Sequence, residues 1–427
     1  MSKTYARELS LTGSVILSSP LYTSVFLMRF SFGLVLFTLP IYLPKREFSN
    51  FIFGIIAAAY PVAETICGPV IGSLTDKFGR RNWIYIGLCM STVLLFAFTL
   101  STNVIFLTAI HGLEGVAAAM IVVSTLAMVT DTSDISNRGR QMGIYDFANL
   151  GGYMVGIFAA GILTRSYSAI AAFYLGSALA AIGAVYAYLR VKETRQSEKI
   201  PPLSPLKAVR LLIGDRRAIA MFPIWLSVTT FIGMVLTFGP RYGPSPLITS
   251  LLFAGVVLIL AFTQPFFGHL SDNYGRDRLM MLGMLSLIGL FITIIAMFHW
   301  HFPPIYLVPF FAIFGVGSFA FAPAALASIG DFAPEGGRGI TMGVYSVMIS
   351  LGTIIGPLLG GYLLDTYGLT SLFYAGLIIL ISALGIAIII AGPTFVPLKP
   401  LNAKSRETQR NPEKPRAEDL ELAYLSR

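Results

Sequence analysis

Charge is what the chain has least of. Lys, Arg, Asp and Glu make up 12% of its 427 residues, while 55% are hydrophobic and the mean hydropathy is +0.75. Soluble domains carry about 25% charged residues, so an ordinary water-soluble fold is excluded. Cysteine is nearly absent too. Cys67 and Cys89 lie inside apolar runs and supply neither a disulfide framework nor a metal-ligand spacing. There is no nucleotide-binding loop and no nucleophile–base motif, so the reading is of a protein that is not an enzyme and needs no cofactor or metal. Apart from Asn149 and Gln264, the apolar runs hold almost no Asn or Gln. A sugar carrier needs many such side chains to replace the water around hydroxyls, which disfavours polyol substrates.

What is abundant is apolar length. Runs of the roughly 20 residues needed to cross a bilayer fall at 21–43, 51–74, 83–101, 104–129, 141–163 and 168–190. Six more follow at 218–240, 247–270, 279–299, 304–329, 339–363 and 370–392. The fold class is therefore an all-α membrane protein of twelve transmembrane helices. Residues 1–20 read as a cytoplasmic lead-in, with a surface helix ending at Pro20 and no cleavable signal pattern. Residues 191–217 read as a cytoplasmic linker with a short amphipathic helix over 206–213, and 393–427 as a disordered cytoplasmic tail.

Basic residues orient the bundle. With residue 1 inside, 25 of the 30 lysines and arginines fall on inner segments, four (Lys45, Arg46, Arg165, Arg241) on outer ones, and Arg29 inside a helix. By the positive-inside rule both termini are cytoplasmic. The net charge of +9 is thus a topology signal, and a nucleic-acid partner is not needed to explain it.

The chain also repeats itself. Gly72-Ser-Leu-Thr-Asp76-Lys-Phe-Gly79-Arg80-Arg81 returns 196 residues later as Gly268-His-Leu-Ser-Asp272-Asn-Tyr-Gly275-Arg276. Each copy reads as a charged loop between two spans, with the first Gly for close helix approach, the Asp for capping and the second Gly for a tight turn. Asp131…Arg138-Gly-Arg-Gln-Met-Gly143-Ile-Tyr145 is echoed 200 residues on by Asp331…Arg338-Gly-Ile-Thr-Met-Gly343-Val-Tyr345, and Gly152, Gly156 and Gly161 by Gly352, Gly356 and Gly361. Residues 21–190 and 218–392 are therefore two six-helix halves, an arrangement by which transporters hold substrate near the midplane.

With these motifs the chain resembles the major facilitator superfamily over residues 20–392, the two charged loops matching the family's signature. Met28-Arg29-Phe30 with Gly33 and Leu39-Pro40 resembles the first helix of its proton-driven multidrug exporters. Two sites depart from that branch. His111-Gly-Leu-Glu114-Gly115 stands where many exporters carry Arg-x-x-x-Gly, and Gly156–Gly161 lacks the proline that Gly356-Pro357-Leu-Leu-Gly360-Gly361 keeps in the eleventh span. The resemblance implies a gate between the halves. Asp76 would sit on the N-terminus of the eleventh span and Arg80 on Asp131, with Asp272 on the start of the fifth span and Arg276 on Asp331, while Gly79 and Gly275 make the turns.

Ionisable groups inside spans are costly and mark function by default. They cluster in the first half: Arg29, Glu64, His111, Glu114 and Asp146. Matched depths make Glu64 the expected partner of Arg29, with Glu114 competing for that role. The carboxylate left over then carries a proton, and Glu114 is favoured, with Asp146 a further candidate. The resulting expectation is a secondary transporter, monomeric and set in the plasma membrane, exporting a small amphipathic molecule in exchange for protons. Two alternatives stand beside it: an organic-anion symporter or facilitator built on Arg29, and a transporter-shaped sensor. A reporter fused after Arg427, or a thiol label within 195–205, is expected to be reachable only from the cytoplasm; external labelling at either place overturns the topology.

Overall fold

A computed structural model describes residues 3–43, 48–132, 138–194, 216–299, 304–332 and 338–392. Among the described residues it contains thirteen α-helices and no strand. The first half comprises α1 (Lys3–Tyr42), α2 (Asn50–Phe78), α3 (Arg81–Ala97), α4 (Val104–Thr132), α5 (Arg138–Ser166) and α6 (Ala169–Arg190). The second comprises α7 (Arg216–Tyr242), α8 (Pro246–Tyr274), α9 (Arg276–His299), α10 (Pro304–Ser318), α11 (Phe321–Phe332), α12 (Arg338–Tyr367) and α13 (Thr370–Ala391). Eleven segments are long and apolar enough to cross a membrane, one of them running over α10 and α11 together, and the 17-residue α3 is a shorter apolar helix between two of them. The face where α1 ends is termed distal, and the face where α1 begins terminal.

Short polar residues start the helices at the distal face. Ser49, Ser168 and Ser245 each accept the N–H three residues on, from Ile52, Ala171 and Ile248. Asn103 accepts from Ile105 and Phe106. Each satisfies first-turn donors that lipid could not.

Three sequence expectations need correction. The surface helix does not end at Pro20: α1 continues unbroken from Lys3 through it. A proline frees the carbonyl one turn before it, which membrane helices tolerate where neighbouring groups take it up; one turn after it, the Ser24 hydroxyl bonds back to the Pro20 carbonyl at 2.8 Å. The charged loops are mostly helix, since α2 runs to Phe78 and α8 to Tyr274. Thr75 and Ser271 donate back to the carbonyls of Gly72 and Gly268, leaving the turns to Gly79 and Gly275, whose φ values of 89° and 98° favour glycine. Lastly, the tenth span is broken at Phe319–Ala320. There the N–H groups of Phe319 and Ala320 bond three residues back, and Pro323 brings no N–H to continue the ladder from α10. The amphipathic segment at 206–213 and the tail at 393–427 lie outside the described residues.

Glycine sets the helix crossings, and the same crossing is written twice. A Cβ on Gly156 would lie 2.4 Å from the Phe30 carbonyl oxygen and 3.0 Å from Gly33 Cα; on Gly356 it would lie 2.3 Å from the Thr230 carbonyl oxygen and 3.0 Å from Gly233 Cα. Thus α1 packs on α5 as α7 packs on α12. Apolar clusters fill each half, around Met28, Ile84 and Ile121 and around Leu34, Phe37 and Ile157 in the first, and around Met221, Met284 and Phe321 in the second. A third joins the halves through Phe53, Phe98, Met234, Phe238 and Leu364.

Among the described residues, the close approaches that join α2 to α12 or α5 to α8 at a glycine lie toward the distal face. A Cβ on Gly54 would meet the Pro357 carbonyl at 2.3 Å, on Gly361 the Asn50 carbonyl at 2.5 Å, and on Gly161 the Pro246 carbonyl at 3.0 Å. Toward the terminal face, Gly68 and Gly268 have open space beside them, and Ile66, Val70, Phe147, Phe262 and Phe266 are exposed. Among the described residues, the packing between the halves is therefore distal.

Gly156→Ala is expected to cost about 1–3 kcal/mol by forcing α1 from α5, seen as a lower thermal midpoint in detergent. Gly255→Ala, where a Cβ meets open space, is the control and should leave the midpoint within a degree or two of the parent, or above it. Equal midpoints for the two variants contradict the crossing.

Candidate functional site

The site is built on the α1–α5 crossing. Gly152 lets α1 in so closely that a Cβ there would lie 2.8 Å from Arg29 Cβ. The Arg29 side chain then lies along α5, where Asn149 and Tyr153 are one turn apart. Its Nε donates to Asn149 Oδ1 at 2.6 Å, and its Nη1 donates to the Tyr153 hydroxyl at 2.8 Å. The guanidinium carbon also stands 5.0 Å from the centre of the Tyr153 ring. Hydrogen bonds and a π-face thus compensate a buried cation where hydration is lost.

Asn149 and Tyr153 belong to a stripe that begins nearer the terminal face. Gln141, Tyr145, Asn149 and Tyr153 recur every four residues along α5, a spacing that keeps them on one face. The Tyr22 hydroxyl of α1 donates to Gln141 Oε1, and Tyr145 faces Thr125 of α4 at 3.5 Å.

The partners differ from those the depths suggested. Glu64, on α2, is half-buried. Among the described residues it makes no hydrogen bond or ion pair, and it acts on Arg29 through charge at longer range. Tyr60, one turn before it, is buried, and its hydroxyl has no hydrogen-bond partner among the described residues. Glu114 is withdrawn from Arg29 altogether. Its Oε2 lies 3.1 Å from His111 Nδ1 in a buried pair on one face of α4. The rings of Tyr60 and Phe98 cover that histidine at 5.4 and 5.9 Å. A Cβ on Gly115 would lie 2.2 Å from the Tyr60 carbonyl oxygen, so α2 and α4 touch beside the pair. Glu114 and Tyr60 border one small cavity with Met28, Ser31 and Phe32. Asp146 is exposed on α5 beside Phe147 and makes no hydrogen bond or ion pair among the described residues.

The charged turns form a separate cluster at the terminal face. Arg80 pairs with Asp131 at the end of α4, and Thr194 donates to the same carboxylate at 3.1 Å. Glu193 Oε2 accepts the N–H groups of Arg80 and Arg81 at 2.9 and 3.0 Å, capping α3. Gly79 leaves room for it, since a Cβ there would lie 2.7 Å from that oxygen. All of these contacts lie within the first half and the first residues of the linker that follows it. Gly72 is not a tight crossing, its nearest neighbour for a Cβ being Val123 at 3.6 Å. The side chains of Asp76, Asp272 and Asp331 lie outside the described residues, and with them the expected cross-half contacts and the Arg276–Asp331 pair.

Chemically, the spans of the first half hold a buried cation and a carboxylate without a partner among the described residues, while the spans of the second half carry no charged side chain in their middles. Sequence reasoning passed over Asn149 and Tyr153 as partners of Arg29, and Glu193 as a cap. The four-residue polar stripe of α5 was the available signal for the first two; nothing local marks Glu193.

The thermal stabilities of Arg29→Met, Asn149→Leu and the double variant test this arrangement. A coupling energy of about 1.5–3 kcal/mol is expected, the size of a hydrogen bond to a charged group. Additive losses contradict the contact.

Comparison with known proteins agrees with this geometry. The family model described as Major Facilitator Superfamily matches residues 21–242 and 217–425. Multidrug resistance protein 2 of Bacillus subtilis (strain 168) is 25% identical over 375 residues, covering 84% of this chain and 92% of that protein. Quinolone resistance protein NorA of Staphylococcus aureus (strain MRSA252) is 24% identical over 356 residues, covering 81% and 89%. Among solved structures, a bacterial homologue of the human lysosomal transporter Spinster, inward-facing and unoccupied, superposes with a TM-score of 0.70 at 16% identity, covering 93% of this chain and 97% of the other.

Proposed function

The chain belongs to the Major Facilitator Superfamily and is a secondary membrane transporter, and we propose that it exports small amphipathic organic molecules in exchange for protons. Its similarity to a multidrug resistance protein and a quinolone resistance protein supports export. The observation that carries the coupling is the half-buried Glu64 carboxylate, which has no hydrogen-bond or ion-pair partner among the described residues, while Arg29 turns its Nε and Nη1 to Asn149 and Tyr153 instead.

In this reading the distal face is the outer one and both chain ends are cytoplasmic. With the terminal side open, substrate enters between the halves, its apolar body against the second half and its polar end toward Glu64. Glu64 gives up its proton to water as the substrate arrives, and regains one from outside after release. Proton and substrate therefore compete for one carboxylate. Arg29 keeps the site from accumulating net negative charge, and Asn149 and Tyr153 hold it in place. Anion binding at Arg29 is the weaker reading, since two of its nitrogens are already committed to protein acceptors. Glu114, bound to His111, stabilises the α2–α4 contact. In the gate proposed from the family resemblance, Asp76 and Asp272 join the halves when the terminal side closes, while Arg80–Asp131 keeps the α2–α3 turn in shape.

The test is flux in proteoliposomes with a panel of amphipathic cations and quinolones, with and without an imposed pH gradient. Glu64→Gln is expected to lose at least tenfold in gradient-driven flux and to keep substrate counterflow. Glu114→Gln should retain coupling in the protein that folds, with reduced stability from stranding His111. Full gradient-driven flux in Glu64→Gln overturns proton coupling through this group. Ligand binding without flux in the unaltered protein would favour a sensor.

A further inference from the structure

A second constellation stands at the distal face, far from Arg29. The last turn of α12 presents Asp365 to the first turn of α2, in the opposite half. One carboxylate oxygen accepts the Asn50 N–H at 3.0 Å and the Asn50 side-chain amide at 2.8 Å. The other accepts the Phe51 N–H at 2.9 Å. An anion here also answers the positive end of the helix dipole. Two residues at the end of α7, also in the second half, hold the same segment. Arg241 donates to the Phe48 carbonyl at 3.1 Å and stands 5.4 Å from the Phe53 ring centre. The Tyr242 hydroxyl donates to Asn50 Oδ1 at 3.1 Å. The second half thus grips residues 48–53 at several points.

The pseudo-equivalent crossing is built differently. Between α5 and α8, Gly161 packs on Ser250 and Pro246. Arg165 occupies the position that the 200-residue repeat pairs with Asp365. The α5–α8 side of the distal closure is therefore small-residue packing alone, whereas the α2–α12 side adds to its glycine packing a polar contact that water can replace.

We propose that Asp365 is the positioning residue that latches the distal face, so that each transport cycle requires it to release the N-terminus of α2. The contact does not serve simply to start α2. Ser49 caps that helix from its own chain by accepting the Ile52 N–H, so α2 can form with the latch undone. The inference rests on alternating access by two halves and not on the identity of the proton carrier.

Distances between spin labels test it, in full-length protein with Cys67 and Cys89 replaced by serine. One pair, at Thr102 and Thr370, spans the halves distally; a second, at Phe78 and Tyr274, spans them terminally. Asp365→Ala is expected to move the population from short to long distal distances by roughly fivefold, the size of a lost helix cap, with the terminal pair shortening in step. Tyr242→Phe, which removes one hydroxyl, should shift both pairs in the same direction by less, and carries the test if the alanine variant does not fold. Unchanged distributions overturn the latch. Distal lengthening without terminal shortening also overturns it, because that is local unravelling. Retained flux in Glu64→Gln would remove the coupling reading and leave these distances untouched.

Discussion

A full charge in the middle of a bilayer must be answered by the protein, because lipid cannot answer it. Much of the first half follows from meeting that demand at Arg29. Its two acceptors, Asn149 and Tyr153, can reach the guanidinium only because α1 and α5 nearly touch, and they touch only because Gly33, Gly152 and Gly156 carry no side chains. The ring of Tyr153 in turn meets Phe32, which packs on Tyr60 of α2. The glycine crossing, the cation and the aromatic chain leading to α4 are one construction.

The repeat shows which part of that construction is scaffold. Gly33 and Gly156 have counterparts in Gly233 and Gly356, and the second crossing is as tight as the first. Arg29, Asn149 and Tyr153 are replaced 200 residues on by Thr229, Ile349 and Thr353. Thr229 bonds back to its own helix at the Trp225 carbonyl. The backbone geometry was duplicated and the charge was not. Charge in the middles of the spans is confined to the first half, and the second keeps only hydroxyls such as Thr229 and Thr353 at the matching positions.

Much of this was legible in the sequence. Hydropathy found the crossings, and the doubled Gly-x-Leu-x-Asp-x-x-Gly-Arg motif found the two halves, because both signals are local. Helix ends were harder to read. Gly72–Phe78 looks like a loop by its polarity, yet Thr75 turns its hydroxyl back onto α2 and the helix runs on. Pro20 looks like a stop, yet α1 passes through it. The ionisable residues were found by position alone, but their pairing was not. Matched depth along two helices says nothing about rotation around them, and rotation is what turns Glu114 to His111 and Arg29 to α5. Asp365 escaped notice because its partners are backbone N–H groups more than 300 residues away, which no side-chain pattern records.

The end of α3 has a consequence for the membrane itself. Its seventeen helical residues rise about 26 Å, short of the roughly 30 Å of an average hydrocarbon core. Phe98, Thr99 and Leu100 make up the difference, because their N–H groups bond back to Leu94, Phe96 and Ala97 and carry the chain on as a turn. A tighter turn rises further per residue than an α-helix, so α3 reaches the far interface with fewer residues than its neighbours. Val93, Phe96 and Leu100 face outward along it, and the span meets lipid to its last turn.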